Sequence, residues 1–453
     1  MQNGKAALSI IGYNYKKQPT QNQISELLKP IYREDDTDTK ISFSLFYPIR
    51  NQIKNERNKI GFSKFFLKQL TKRIESKNFL CVYCGNQGSS EIISYIFPFI
   101  TTIHKYPNIY SMGKIKSLNF CSKCMLISFA ANSRWLFNVR NPTNKIDFFS
   151  AIMFFANNEI ELRRFYRNFT ERNLLPSRYT NMEILPQEFA SKRANENTYN
   201  ATWFPEEFLA LIIYFISKKI KRFNILNKNL GAILLSYNRN SSGAGATIIY
   251  NSFDIIDDLF PFIKGIYNLA KKTKNDDSFL ILFKHLKKDL FSNKPDDYTF
   301  RRQFFRQLLL NKRFDWKTIQ SIIMLKATED KTIPFLKSFI ITMSEELSLN
   351  SDKAVFAAGN NLGYRIGMKI KGYEINYKRL KKYIFDFRRC RRPKDFLSLL
   401  NLVQAQSEST VYADIFVNDK FEIAKTGFLI GFSNAIFTKE NDKRNTDTTK
   451  GGK

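Results

Sequence analysis

Four of the five cysteines in this chain stand in two pairs, Cys81-Val82-Tyr83-Cys84-Gly85 and Cys121-Ser122-Lys123-Cys124, and no other feature restricts the fold as much. Two residues between cysteines let one tight turn aim both sulfurs at a single tetrahedral ion, and two such turns supply all four ligands of a closed site. Gly85 suits the first turn, because a sharp bend after the second cysteine favours a residue that tolerates positive φ. Met125 follows the second pair, which lacks that help. The 36 residues from 85 to 120 exceed the spacing usual for compact four-cysteine sites, so the metal lobe is expected to carry an inserted loop. A redox dithiol, a disulfide pair and four unrelated thiols are the alternatives. Spacing favours a structural Zn²⁺ held by Cys81, Cys84, Cys121 and Cys124.

With 453 residues, 43% of them hydrophobic, the chain is long enough for about two or three folded domains. Met1 to Pro19 holds no apolar run of signal-peptide length, and the longest apolar stretch, Phe208 to Ser217, is about half a membrane span. The expectation is a soluble cytoplasmic protein without a membrane partner, in a reducing setting that leaves thiolates free for metal.

Charge points to a partner. Against 41 Asp and Glu stand 72 Lys and Arg, a formal net charge of +31, and such an excess calls for a polyanion. Aromatic residues make up 15% of the chain, with 43 Phe and 21 Tyr, and rings beside cations suit stacking on unpaired bases. Most Phe will be ordinary core, and a Lys-, Asn- and Ile-rich composition can follow from genome bias. Genome bias does not explain an imbalance of sign.

Along the chain, Ala6 to Ile11 and Ile41 to Phe46 read as strands, separated by the acidic loop Glu34-Asp35-Asp36. From Phe62 to Ile74 an apolar stripe at spacings of three and four predicts a helix that presents Lys64, Lys68 and Lys72. Residues 138 to 230 read as mainly helical, with amphipathic runs at Asp147 to Tyr166 and Pro205 to Phe223. Pro205 fits a first-turn position, where Glu206 and Glu207 complement the helix dipole. Gly231 to Tyr237 and Thr247 to Tyr250 read as strands joined by a small-residue loop, in which Arg239, Asn240, Gly243 and Gly245 could approach a phosphate. That loop lacks the Gly-Lys-Ser/Thr ending of a P-loop, so nucleotide hydrolysis is not supported.

Beyond a boundary placed near residue 300 the chain reads as helical, beginning with Arg301, Arg302, Arg306, Lys312 and Arg313. Gly359, Gly363 and Gly367 recur every four residues, as do Gly427 and Gly431, which predicts a groove on one helix face that admits another helix closely. Arg365 and Lys369 argue against a membrane setting for it. The densest charge lies at Lys378, Arg379, Lys381, Lys382, Arg388, Arg389, Arg391, Arg392 and Lys394. Tyr377, Leu380, Ile384 and Phe387 define its buried stripe and leave Lys378, Lys382 and Arg389 facing outward. Cys390 has no cysteine near it and receives no role, and Lys439 to Lys453 reads as a disordered tail.

A catalytic constellation is hard to assemble from these parts. The two histidines, His104 and His285, do not make the paired sets of a phosphohydrolase or a zinc-knuckle endonuclease, and four thiolates close a metal to water. The acidic pairs Asp257-Asp258 and Glu345-Glu346 read as solvated charges on helical segments.

The paired C-x-x-C-G and C-x-x-C in the first third, a basic helical C-terminal region with a Gly-spaced helix, and the helix start at Asp395-Phe396-Leu397 together resemble the CXXC–CXXC family of CRISPR-associated large subunits of type I, most similarly type I-B, interference complexes. The resemblance implies a non-catalytic subunit near the 5′ end of a guide RNA, which recognises the target-flanking motif in duplex DNA and holds the opened strands. Its implied partners are guide RNA, target DNA, the backbone subunits and a helicase-nuclease recruited in trans. The expected fold is α+β: an N-terminal α/β segment (1–80), a four-cysteine lobe (81–137), the rest of the N-terminal body (138–300), an all-helical bundle (301–438) and the tail.

Overall fold

The structure, a computed structural model, describes residues 2–13, 19–28, 79–81, 83–88, 121–131, 134, 136–140, 146–167, 205–219, 229–240, 248–272, 279, 299–328, 333–373, 377–406, 414–416 and 419–438. The chain divides into two compact units, Met1–Phe260 and Pro261–Lys453. Strands occur only in the first among the described residues, and the second is helical, an α+β arrangement in which sheet and bundle are segregated.

In the first unit, helices α1 (Gln2–Ile10) and α2 (Gln21–Leu28) precede a two-stranded hairpin, β1 (Phe79–Leu80) and β2 (Gln87–Gly88). Helix α3 (Ser122–Ala131) follows, then strands β3 (Leu136–Arg140) and β4 (Ile146–Ala156), helices α4 (Glu159–Tyr166) and α5 (Pro205–Lys219), and strands β5 (Leu230–Asn240) and β6 (Ile248–Ile256). Strands β3 to β6 form one antiparallel sheet in chain order.

The segment from Asp147 to Tyr166, expected as one amphipathic helix, is strand β4 and then α4. Eleven residue pairs tie β4 to β5, from Ile146 opposite Asn240 to Ala156 opposite Leu230. Phe148, Phe149, Phe154 and Phe155 suit a strand with neighbours on both sides, and cross-strand pairing decides against helix here. Asn158 breaks the strand and starts α4, its side chain accepting the Glu161 N–H at 2.8 Å. Helix α5 does begin at Pro205 with Glu206 and Glu207 in its first turn, and both glutamates are buried.

Ala6 to Ile10, expected as strand, lies in α1. Small residues there let α1 meet α3 backbone to backbone: a Cβ on Gly4 would sit 1.7 Å from the Ile127 carbonyl oxygen. Asn3 donates to the Phe154 carbonyl at 2.9 Å and accepts from the Tyr166 hydroxyl at 2.7 Å, which joins α1 to β4 and α4.

The second unit contains α6 (Phe260–Lys272) from Pro261 onward, α7 (Thr299–Leu310), α8 (Trp316–Thr328), α9 (Pro334–Glu346), α10 (Asn350–Tyr373), α11 (Tyr377–Arg389), α12 (Pro393–Gln406) and α13 (Phe421–Phe437). It starts at Pro261, ahead of the boundary expected near residue 300, because α6 packs on α9. Gly265 lies against the Met343 sulfur, and Lys264 and Asn268 reach the Glu346 carboxylate at 2.7 and 2.8 Å. Glu346 is therefore paired rather than merely solvated, and Glu345 holds Lys353 at 2.6 Å. Asp257 and Asp258 lie between β6 and α6, not in a helix. Lys312 and Arg313 fall just past the end of α7.

Helix α13 is apolar around nearly its whole circumference, and it is correspondingly buried, touching α8, α9, α10 and α11. Phe428 on α13 stacks on Phe432 and meets Phe387 of α11 and Phe396 of α12 at ring distances of 5.6, 4.7 and 5.3 Å. A second cluster joins Phe279, Phe304, Phe305, Phe314 and Phe339. Much of the phenylalanine that enriches the composition is core.

Candidate metal centre and basic surface

Strands β1 and β2 pair Phe79 with Gly88 and Leu80 with Gln87, and the turn between them carries the first cysteine pair. The Gly85 N–H donates to the Cys81 carbonyl at 2.9 Å and the Cys81 N–H to the Asn86 carbonyl at 2.8 Å. Gly85 has φ +70°, the left-handed bend that its place after Cys84 required. The second pair needs no glycine. Cys121 immediately precedes α3, Cys124 sits in its first turn, and the Cys124 N–H points at the Cys121 sulfur at 3.4 Å. A helix start does for this pair what a knuckle turn does for the other, and its positive end favours thiolate ligands.

All four Sγ atoms lie within 4.8 Å of one another, and the four cysteines could hold a metal ion. Cys84 and Cys121 are separated by 3.6 Å between sulfurs. A tetrahedral site with metal–sulfur bonds of about 2.3 Å has sulfur–sulfur edges of about 3.8 Å. A disulfide would need about 2.05 Å, and all five cysteines are free thiols. Cys81, Cys121 and Cys124 are buried and Cys84 is exposed. Burial opposes ionisation of Cys81, but hydrogen bonds from the backbone of Cys121, Cys84 and Tyr83 outweigh it and bring the thiol down to about 6. Burial pushes the Cys121 and Cys124 thiols up. Burial thus opposes the charged forms of Cys121 and Cys124, a cost that a bound cation would offset.

On α11 the expected division of faces holds for the side chains that are described, which leaves out that of Tyr377. Leu380, Ile384 and Phe387 are buried, joined by Tyr383, while Lys378, Arg379, Lys382 and Arg389 are exposed. Lys378, Lys382 and Arg389, at steps of four and seven, form one stripe about 16 Å long. Arg391 and Arg392 extend it through the turn into α12 and are also exposed. Arg388 departs from the expectation: it is half-buried and donates to the Ser321 hydroxyl at 3.3 Å. Lys381 reaches back to the Thr328 carbonyl at 3.1 Å, so it fastens α11 to α8.

Arg239 and Asn240, expected in a loop, are the last two residues of β5, paired across the sheet with Asp147 and Ile146, and Arg239 also with Ile248. The strands run farther than the local glycine-rich signal suggested because β4 offers a long partner. Gly243 and Gly245 lie outside the described residues, as do Lys64, Lys68, Lys72, His104, His285, the Ile41 to Phe46 run and the tail.

One polar pair escaped the reading of the sequence, the half-buried Glu422 and the buried Lys425 on α13. Lys425 Nζ lies 2.9 Å from Glu422 Oε1 and donates to the Cys390 carbonyl, at the end of α11, at 3.1 Å. A lysine inside the most apolar helix was the available signal, since buried lysines are rare unless paired. Among the described residues no helix is long and apolar enough to cross a membrane. No protein-family model matches the chain, and no curated protein aligns with it significantly.

Proposed function

We propose that this chain is a non-catalytic, zinc-stabilised, nucleic-acid-binding subunit, and that it acts as the large subunit of a type I CRISPR guide-RNA complex. The outward stripe of Lys378, Lys382 and Arg389, continued by Arg391 and Arg392, carries the nucleic-acid part of this reading. A helix and its following turn with six exposed cations, Arg379 among them, in a chain of net charge +31, suit a phosphodiester backbone. Zinc suits the four thiols because it takes tetrahedral sulfur ligands without redox chemistry, and a cytoplasmic setting keeps them reduced. The assignment to a guide-RNA complex rests on the resemblance of the cysteine motif and the helical C-terminal region. In such a complex the guide reads sequence by pairing, while protein reads the flanking motif and holds backbone.

The test is purified protein with labelled DNA in a salt series, with and without Mg²⁺. Binding that weakens steeply with salt, without cleavage, supports the reading. Metal-dependent cleavage by the chain alone would make it a stand-alone zinc-ribbon nuclease, and a flat salt response would leave only a basic scaffold. Co-purification with a guide RNA and backbone subunits tests the complex itself.

A further inference from the structure

The corner between α11 and α12 is pinned at three points. Phe387 and Phe396, on either side of it, touch at 5.0 Å between ring centres and both rest on Phe428. Between them the Cys390 carbonyl, just past the last residue of α11, accepts from Lys425. Carbonyls at a helix end lack intrahelical partners and carry the negative end of the dipole. Lys425 therefore caps α11 from another helix.

This cap works against an electrostatic cost. Lys425 is 3% exposed, in a unit whose adjoining corner already holds Arg388, Arg389, Arg391 and Arg392, and burying one more cation there is unfavourable unless it is paired. Glu422 supplies the counter-charge, and its second oxygen is held by Gln320 Nε2 at 2.8 Å. Gln320 also donates to the Thr426 hydroxyl at 2.9 Å, which in turn donates to the Glu422 carbonyl at 2.6 Å. The outcome of this network is a fixed position for Cys390 and for the exposed arginines on either side of it.

We infer that Lys425 is a positioning residue for a phosphodiester-binding corner formed by Arg389, Arg391 and Arg392. The inference rests on the nucleic-acid reading above and narrows its site. Arginine binds phosphate through a planar fork whose geometry must match, so guanidinium groups on a fixed backbone lose less freedom on binding than those on a loose one. A strand of nucleic acid crossing this corner meets forks already spaced, rather than a diffuse charge.

The experiment uses the full chain with its metal and a fluorescein-labelled oligonucleotide of mixed sequence, titrated between about 50 and 200 mM salt. Lys425→Met keeps the apolar stem and removes the ammonium. Glu422, whose side chain is 42% exposed, stays hydrated without it. Cys390→Gly keeps every cation but loosens the corner backbone. Lys394→Met, an exposed charge in α12, is the control for charge alone. Expected for Lys425→Met and Cys390→Gly are binding weaker by about tenfold, a salt slope lower by about one to two, and faster amide exchange across residues 389–396. The control lowers the slope by at most about one, with exchange unchanged.

Parent-like slope and affinity in both corner variants overturn the inference while leaving the nucleic-acid reading intact. The inference also falls if Lys425→Met weakens binding only in step with a general drop in melting temperature while Cys390→Gly binds as the parent does. A parent chain that ignores the oligonucleotide, or that binds polyglutamate in its place, overturns both.

Discussion

Gly363 on α10 faces the carbonyl of Phe428 on α13 so closely that a Cβ there would lie 2.1 Å from the oxygen. Gly359 meets Ala424 and Gly367 meets Phe432 in the same way, and from the other side Gly427 and Gly431 approach Phe356 and Asn360. The paired positions rise together along both helices, so α10 and α13 run parallel, backbone against backbone, with glycines of each admitting the other. This packing sets the position of α13, and through it those of Phe428, Lys425 and the basic corner.

Gly363→Ala should therefore destabilise the C-terminal unit by about 1–3 kcal/mol, the usual cost of overpacking. Gly372, on the same helix, has nothing within 4 Å of its would-be Cβ. Gly372→Ala should stabilise by about 0.5–1 kcal/mol through helix propensity. Denaturant unfolding of the two variants should show opposite signs, and equal signs would contradict the packing.

The cysteine site should bind about one zinc per chain, released on Cys81→Ser or on chelation. Elemental analysis checks the metal. Circular dichroism should show the helices of the C-terminal unit retained, since no cysteine of the cluster lies in that unit. Acid should release the ion, because thiolates must be formed to bind it and protons compete.

For the α11 stripe, replacing Lys382 and Arg389 by Ala should lower the slope of log affinity against log salt by about one for each phosphate no longer neutralised. Both side chains are exposed, so melting temperature should hardly move. Unchanged binding would place the nucleic acid on another surface.

Cys390 offers a test by pH. Burial, with Asp395 beside it, pushes its thiol above the ordinary value. The thiolate is the reactive form, so a raised pKa means less of it near neutral pH. Alkylation of Cys390 in the zinc-loaded protein, followed by mass spectrometry, should lag behind a free thiol and accelerate only at a higher pH. An inflection at or below the ordinary thiol value would refute the burial.

Where local chemistry dictates geometry, the sequence was legible. The spacing of Cys81, Cys84, Cys121 and Cys124 announced a common centre, Gly85 its left-handed turn, Pro205 a helix start, and the stripe of Leu380, Ile384 and Phe387 the outward face of α11. Each depends on neighbours a few residues away, whose spacing a sequence displays directly.

Long-range partners were decided by the tertiary structure. Strand β4 is a strand because β3 and β5 flank it, and Arg239 is in β5 because β4 extends that far. The small residues of α1 have their reason in α3, which lies against Gly4. The glycine spacings foretold a close helix pair, yet only the fold chose α10 for α13. Lys425 reads in sequence as one more cation among 72 Lys and Arg, and only burial beside Glu422 and the Cys390 carbonyl makes it a cap. Sequence determines what a residue can bond locally; the free energy of burial selects which distant group it meets.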